Sequence, residues 1–419
     1  MNFPAFWAMP TECMVDGFIF LFSETFILAA FYMSMRKGAL MPFPDIAIIY
    51  LSFLELVLYL QVANVIDYDF LESYSSYSFE RNFGVISILL CMYAFILYIA
   101  KFGGSKKIDY ASVFNKIKIP RYIIISIAVF LYVHLATFLM NANISKIFEN
   151  DSYLYMTSID VMNSENTLTN ELILFIVPIS LMSSVIFFFL YLKRDLTSYI
   201  FLPIFLWWLC YMLGAHSRSA GLMLGVGAFL AMFLGRKGIA IGLILGVIMA
   251  ITQALAGRGG DLHGLSQVIN APYLAYEGIT SDWAQILANS AEGIFVSSEA
   301  LTFHPDLSLE YRLLSFSPLV NAIDGFQTVL IRDGVRLSEY VPMSAINEAV
   351  DFGPFLFFLY FGSQIFCVRM TTKLLAKNPS LLAVFVNLSG MFGFVQQFAY
   401  ALRNCFRWFL YPILVCFFL

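Results

Sequence analysis

Charged side chains are scarce in this sequence, and their scarcity excludes most classes of protein. Only 12% of the 419 residues are Asp, Glu, Lys or Arg, whereas 60% are hydrophobic. A soluble domain carries about 25% charged residues, so too few polar side chains remain here to cover a water-facing surface. The same shortage excludes a disordered chain and a nucleic-acid-binding protein. We therefore predict an integral membrane protein.

Cysteine is sparse as well, and its distribution indicates neither a disulfide framework nor a metal centre. The six cysteines are scattered, and five of them lie inside apolar runs, which is typical of inert buried thiols. The one Asp-x-Asp match, Asp67-Tyr68-Asp69, is interpreted as an acidic surface loop. No metal and no cofactor are therefore predicted.

Long apolar runs make up most of the chain. A helix crosses the hydrocarbon layer with about 20 apolar residues, because all its backbone polar groups bond within the helix. The runs are continuous rather than alternating, which excludes a porin-like barrel. The pattern predicts an all-α polytopic protein with about eleven spans, at 17–34, 45–64, 83–100, 122–140, 172–192, 197–215, 219–234, 239–256, 351–368, 381–400 and 404–419.

Lysine and arginine are concentrated in every second loop. Because basic loops lie on the inner side of a membrane, this pattern predicts the orientation of the spans. On that topology ten of the eleven lysines lie on the inner side. The outer side nevertheless keeps eight arginines: Arg81, Arg218, Arg258, Arg312, Arg332, Arg336, Arg403 and Arg407. The planar guanidinium suits phosphate and carboxylate oxygens better than an ammonium does. These arginines either bind an anionic substrate or pair with the outer acids, and both interpretations stay open here.

One outer connection, 257–350, is far longer than the others. It divides the chain into three predicted parts: helices one to eight at 1–256, a large outer loop at 257–350, and the C-terminal helices at 351–419. Loops this long are usually functional or disordered, and the aromatic content of this one favours an ordered, helix-rich cap.

Aromatic residues of the cap are candidates for contact with a ligand. Ser281-Asp282 is a candidate helix N-cap, and the apolar face that follows consists of Trp283, Ile286, Leu287, Ala291 and Ile294. Tyr273, Trp283 and Tyr311 are the candidates for stacking on sugars. A belt of aromatics in the lipid headgroups is the alternative.

Two arginines are predicted to lie at one depth. The seventh and eighth spans form a hairpin around Arg236-Lys237-Gly238, with Arg218 and Arg258 at nearly equal distances from that turn. At about 1.5 Å per residue, the two lie within roughly 3 Å of each other along the membrane normal. Small or glycine neighbours allow close approach of a ligand. The pair suits a multiply charged anion attached to an apolar carrier, such as a lipid pyrophosphate. The alternative is that these are snorkelling arginines at helix ends.

These motifs resemble those of the bacterial O-antigen polymerases, the Wzy family, which are related to the O-antigen ligases. The resemblance rests on Ser217-Arg218-Ser219 in a short outer turn and on Arg258 between glycines at the start of the large loop. A Ser-x-x-x-Glu-x-x-x-Phe-Gly pattern then closes the loop, from Ser344 through Glu348 to Gly353. Pro342 and Met343 stand where the ligases usually carry a histidine, which favours a polymerase.

The resemblance implies a GT-C-like, many-helix glycosyltransferase of the bacterial inner membrane, with its active site on the periplasmic side. The implied substrate is an oligosaccharide repeat unit linked to undecaprenyl pyrophosphate, which is polymerised into surface polysaccharide without a metal. Membrane lipids and a chain-length regulator protein are the implied partners. Arg218 and Arg258 would bind the pyrophosphate, where charge develops in the transition state.

Other side chains are candidates for the remaining chemistry. Glu348 is the first candidate for the general base, and the alternative is a first-turn acid favoured by the helix dipole. His216 is the second catalytic candidate. Arg403 and Arg407, spaced i,i+4, are candidates for a further cationic group. Weaker candidates are His263 and His304 in the cap, His134 in mid-span as a packing residue, and Glu24 and Glu55 within spans.

Two other functions are compatible with this sequence. An O-antigen ligase would perform the same chemistry with a different acceptor. A lipid-linked oligosaccharide flippase or another transporter would perform no chemistry, but transporters tend to carry internal repeats. No convincing repeat is visible here.

Overall fold

The computed structural model describes residues 11–63, 65–66, 79–102, 108–117, 119–150, 176–257, 263–281, 283–301, 305–319, 326–334, 344–398 and 400–418. In those ranges all regular structure is helical, and β pairing is limited to one isolated bridge between Asn150 and His263. The all-α prediction is therefore confirmed for the described chain.

Eight of the first ten helices are long and apolar, and two, the fourth and the sixth, are short. The ten are α1 (Thr11–Arg36), α2 (Ala47–Val62), α3 (Phe79–Ala100), α4 (Tyr110–Lys116), α5 (Arg121–Asn141), α6 (Ile144–Phe148), α7 (Ile176–Leu192), α8 (Ser198–Gly214), α9 (Ser219–Phe233) and α10 (Lys237–Ala256). The short helices of the long connection follow, and then three long helices. They are α11 (Ala271–Thr280), α12 (Trp283–Ser290), α13 (Glu292–Ala300), α14 (Leu309–Ser315), α15 (Phe326–Asp333), α16 (Ala345–Asp351), α17 (Pro354–Lys377), α18 (Leu381–Gln396) and α19 (Leu402–Phe418).

Six helical segments of the described chain are long and apolar enough to cross a membrane. They are Val15–Arg36, Pro42–Val62, Asn82–Ala100, Arg121–Asn141, Lys237–Ala256 and Pro354–Lys377. Four further apolar helices are shorter: Ile176–Leu192, Ser198–Gly214, Ser219–Phe233 and Leu382–Gln396. All ten coincide with predicted runs. Helices of 15 to 17 residues fall short of a 30 Å hydrocarbon layer at about 1.5 Å per residue, so the count of eleven spans stays a prediction.

The segment predicted as a cap is helix-rich, because α11 to α16 all lie between Gly257 and Asp351. One detail differs from the sequence prediction. The apolar face expected on a single helix from Trp283 is divided between α12 and α13, which meet at Ala291. Trp283 is 44% exposed, whereas Ala291 and Ile294 are fully buried. The face is therefore buried only in its second half.

The chain forms two compact units, and the first consists of residues 1–108 and 287–419. Within it α1, α2 and α3 pack on one another, and so do α17, α18 and α19. The segment Pro42–Ile46 contacts helices of both groups, and Asn387 on α18 holds it by accepting from the Phe43 N–H at 2.7 Å and donating to the Phe43 carbonyl at 2.8 Å. A fully buried ion pair between Asp45 and Lys101, 2.8 Å long, joins the same segment to the end of α3.

The second unit, residues 109–286, is built around the hairpin of α9 and α10. Gly221 lies against Ile251 and Gly225 against Val247, so the two helices run antiparallel about the turn at 234–236. A Cβ on Gly221 would lie 2.8 Å from the Ile251 side chain, which explains why the two backbones approach so closely. α7 packs on the other side of α9. The division into three parts predicted from sequence is defined relative to the membrane, so it stays a prediction.

Candidate functional site

Arg218 lies in the short turn between α8 and α9, as the Ser-Arg-Ser motif requires. Arg218 is the N-cap residue of α9, and the Ser217 hydroxyl accepts from the Ser219 N–H at 3.2 Å. As a whole residue, Arg218 is half-buried. The Ser219 and Ala220 N–H groups bond to Ser217, so the features that favour an anion here are the arginine cation and the positive end of the α9 dipole.

The hairpin register places Arg218 level with Ala254, near the end of α10. We call this end of the hairpin, opposite the turn at 234–236, its open end. Arg258 lies outside the described residues, so the predicted pair of arginines stays a prediction. The register shows that the chain leaves α10 at the depth of the Arg218 turn, as the sequence count required.

His216 is buried directly beneath that turn, in a backbone conformation that L residues rarely adopt. Its φ is +46°, and its side chain is 1% exposed. The Gln253 Nε2 group donates to the Leu213 carbonyl at 3.1 Å and lies 2.6 Å from His216 Nδ1. Because the carbonyl fixes the orientation of the amide, Nδ1 accepts and the ring hydrogen is on Nε2. His216 therefore shapes the turn that carries Arg218, and its Nδ1 is occupied.

Close packing around His216 involves glycines and a second histidine. A Cβ on Gly257 would overlap His216 Nδ1, so only glycine fits there. The His263 ring stands edge-on to the His216 ring with centroids 4.9 Å apart, and its backbone pairs with Asn150. From the sequence, His263 is a weak candidate and Gln253 is not a candidate. A glutamine near the end of an apolar helix was the signal that could have found it.

Glu348 lies in the first turn of α16, in the first unit, and is 3% exposed. Ser344 caps this helix and accepts from the Asn347 N–H at 3.4 Å. Glu348 Oε1 accepts from the Tyr311 hydroxyl at 2.7 Å, and Oε2 accepts from the Leu402 N–H at 2.6 Å. The carboxylate thus connects α14 and α16 to the start of α19, a structural role that accompanies any chemical one.

The environment of Glu348 shifts its proton affinity. Burial raises the pKa of the Glu348 carboxyl to about 7, although the Leu402 N–H and the Tyr311 hydroxyl act in the opposite direction. Burial and the neighbouring carboxylate raise the pKa of the Tyr311 hydroxyl, which therefore stays a donor. A carboxyl with a pKa near neutrality has the proton affinity that a general base needs.

Arg403 and Arg407 of α19 donate to backbone carbonyls at the end of α14 and in the segment that follows it. Arg403 is 1% exposed, its guanidinium donates to Leu314 and to Leu319 (3.0 Å), and it stacks 4.1 Å from the centroid of the Phe326 ring. Arg407 is half-buried and donates to Leu319 as well. These contacts anchor the cap segment to α19. A pyrophosphate-binding role for the two arginines stays a prediction.

Other outer arginines have similar partners. Arg332 forms ion pairs of 2.8 Å with Glu310 and with Asp333, as the alternative interpretation of these arginines expected. Arg312 donates to the Leu307 carbonyl at 2.9 Å. In the described part of the chain, pairing with acids and carbonyls therefore accounts for several arginines on the predicted outer side.

The predicted sugar-stacking aromatics have different exposures. Tyr273 is 64% exposed and Trp283 is 44% exposed, so both present ring surface. Tyr311 is 2% exposed, and its ring packs against Phe326 and Phe352. The Tyr311 hydroxyl contacts Glu348, which makes it a neighbour of the candidate base.

The remaining candidates are dispersed or lie outside the described residues. His134 is buried in α5, with its ring centroid 5.8 Å from that of Trp208, as expected of a packing residue. Among the described residues, no cluster of three or more His, Cys, Asp or Glu side chains has the arrangement of a metal site. Asp67-Tyr68-Asp69 and His304 lie outside these residues.

Comparison with protein-family models, with curated proteins and with solved structures finds no match to this chain. The resemblance to the O-antigen polymerases therefore rests on the motifs themselves. What is established is an all-helical chain, over the described ranges, with six helical segments long and apolar enough to cross a membrane.

Proposed function

We propose that this protein is a metal-independent glycosyltransferase that polymerises undecaprenyl-pyrophosphate-linked repeat units on the periplasmic face of a bacterial inner membrane. The proposal includes about eleven spans and a GT-C-like arrangement. The observation that carries it is the Ser217-Arg218-Ser219 turn, where half-buried Arg218 is the N-cap residue of α9. Buried His216 and glycines around it hold this turn in place.

The proposed reaction places its developing charge on the pyrophosphate. A hydroxyl oxygen of the acceptor sugar forms a bond to the anomeric carbon of the donor glycan. The bond from that carbon to the pyrophosphate oxygen breaks, and undecaprenyl pyrophosphate leaves with the electron pair. A fixed guanidinium lowers the energy of this charge more in the transition state than in the ground state. Arg218 has that role in the proposal.

The proton of the acceptor hydroxyl needs a base, and the proposal assigns that role to Glu348. Its pKa of about 7 follows from burial, so a substantial fraction is ionised at neutral pH. Tyr311 and the Leu402 N–H orient the carboxylate. Oε2 and Oε1 keep a second lone pair each, so both can still accept.

The test of this proposal is the polysaccharide of cells that carry an Arg218→Lys variant. Lysine keeps the charge but loses the fork of donors, so we expect long polymer ladders to collapse to single-repeat forms on a gel. Arg236→Lys, at the opposite end of the same hairpin, is the matched control and should keep the ladder. Long ladders from Arg218→Lys at the wild-type level would refute the proposal.

A biochemical assay separates the proposal from the two alternative functions. Purified protein given lipid-linked repeat units alone should produce longer lipid-linked glycans and free undecaprenyl pyrophosphate. A ligase would need a lipid A core acceptor before any product formed. A transporter would leave the substrate chemically unchanged.

A further inference from the structure

Two carboxyls lie inside helical segments that are long and apolar enough to cross a membrane. Glu24 belongs to α1 and Glu55 to α2, both in the first unit. In the described part of the chain, neither of them forms an ion pair. Ionisable groups inside spans are costly, and they mark ion or proton pathways more often than structural sites. The proposed glycosyl transfer uses neither carboxyl.

Glu55 is fully buried between its neighbours on α1 and α3. Its Oε1 atom is hydrogen-bonded to the Ser23 hydroxyl on α1 and accepts from the Ser87 hydroxyl on α3 at 2.8 Å. Its Oε2 atom is buried and has no hydrogen-bond partner among the described residues. An ionised carboxylate oxygen without any donor would be highly unfavourable at this depth.

The hydrogens available at this site favour a neutral acid. The Ser23 hydroxyl also lies 3.1 Å from the Phe20 carbonyl, and its single hydrogen cannot serve both that carbonyl and Glu55. A proton on Glu55 Oε1 resolves the conflict. The acid then donates to Ser23 Oγ, and Ser23 donates onward to Phe20.

The charged groups around α2 also favour a neutral Glu55. The titratable neighbours of Glu55 are Glu24 on α1 and Cys91 on α3. α18 also packs on α2 and has no titratable residue, and α13, which contacts α2 as well, carries the acid Glu292. The Pro42–Ile46 segment carries Asp45, whose charge is already paired with Lys101. A carboxyl beside another acid and without a cation favours its protonated form.

A groove on the surface of α1 and α3 leads to the same serines. It has a volume of about 390 Å³, and its walls include Phe22, Phe26, Ile88 and Met92. Ser23 and Ser87, the two hydroxyl partners of Glu55, line it as well. Phe22 and Ile88 are 65% and 63% exposed, so the groove opens to the apolar medium around the helices.

We propose that Glu55 is a proton-binding site within the membrane, held as the neutral carboxylic acid by Ser23 and Ser87 and reached through this groove. Its chemical consequence is reactivity toward apolar carboxyl reagents. The acid O–H adds across one C=N bond of a carbodiimide: the oxygen bonds to carbon and the proton moves to nitrogen. The resulting O-acylisourea rearranges to a stable N-acylurea, and no group leaves.

The test uses the full chain in lipid nanodiscs with dicyclohexylcarbodiimide, followed by peptide mass spectrometry. We expect an adduct on Glu55, formed more slowly as the pH rises, and none on Glu55 from a water-soluble carbodiimide. Glu55→Gln should lose this adduct. Glu24→Gln is the matched control, because it changes the neighbouring acid on α1 and should keep the Glu55 adduct.

Three results would overturn the proposal. The first is an unmodified Glu55 in wild-type protein while other carboxyls react. The second is a labelling rate that does not change with pH. The third is protection by Na⁺ relative to choline, which would make the carboxyl part of a cation site. Mapping and the pH series use only the wild-type chain, so they decide the question even if Glu55→Gln does not fold.

Discussion

The Tyr311 hydroxyl donates a 2.7 Å hydrogen bond to the Glu348 carboxylate, and the two residues lie 37 positions apart in the sequence. Both side chains are buried, at 2% and 3% exposure. The contact joins α14 and α16 and also orients the candidate base of the proposed reaction. It therefore links the stability of the cap segment to the chemistry.

Tyr311→Phe should lower the stability of the fold and raise the proton affinity of Glu348. The substitution leaves Glu348 Oε1 without its buried donor, at a cost of about 2 kcal/mol. The Tyr311 hydrogen bond lowers the pKa of Glu348, so its loss should raise that pKa. Activity, which increases with pH as the base ionises, should then reach half of its maximum at a higher pH. Tyr276→Phe, on an exposed side chain that is not a candidate for ligand contact, is the control for thermal unfolding and for the profile. An unchanged melting temperature would contradict the prediction.

Glu348→Gln should remove a pH dependence of stability. The folded-state pKa of about 7 lies above the ordinary value of 4.5, so the folded state binds the proton more tightly than the unfolded state. This contribution is complete below pH 4.5 and is lost as the pH rises to about 7, which amounts to roughly 3 kcal/mol. Glutamine cannot titrate. Between pH 4.5 and 7 the melting temperature should fall more steeply for the wild type than for the variant, and parallel curves would argue against this prediction.

Gly257→Ala should destabilise the open end of the α9–α10 hairpin. The new Cβ would overlap His216 Nδ1, so the buried ring must move and lose its Gln253 partner. Gly242→Ala, in the middle of α10, is the matched control because nothing lies within 4 Å of its Cβ. There alanine should stabilise by about 0.5–1 kcal/mol, since glycine is a poor helix former. Thermal unfolding that ranks the two variants in the opposite order would disprove this account.

Lys101→Met should be more harmful alone than together with Asp45→Asn. The single variant leaves the fully buried Asp45 carboxylate without its cation, at a cost of about 3–5 kcal/mol. In the double variant the charge is gone, the Met41 N–H can still donate to the amide oxygen, and the Ser34 hydroxyl can accept from the amide NH2 group. Thermal unfolding of the two proteins in the same detergent provides the comparison. Equal melting temperatures would show that the unpaired Asp45 carboxylate carries no extra cost, against this prediction.

Several local features of the chain were predictable because they depend on neighbours in sequence. The Ser344 cap of α16 and the hairpin turn near Arg236 both follow from short-range rules, and the structure has both. The position of Arg218 at the start of α9 follows from the same hairpin count. The prediction of one helix with an apolar face from Trp283 was wrong in part, because the structure has two helices there, which are separated at Ala291.

The amino-acid order alone decided that the chain is helical, apolar enough for membrane spans, and divided by one long helix-rich connection. Those properties follow from composition and from a period of 3.6 residues, which act locally. Only the tertiary structure brought Glu348 to Tyr311, Arg403 to the carbonyls after α14, His216 to Gln253, and Glu55 to serines of two other helices. These pairings depend on which helix faces meet and at what register, and such contacts join residues too far apart in sequence for any local pattern to fix.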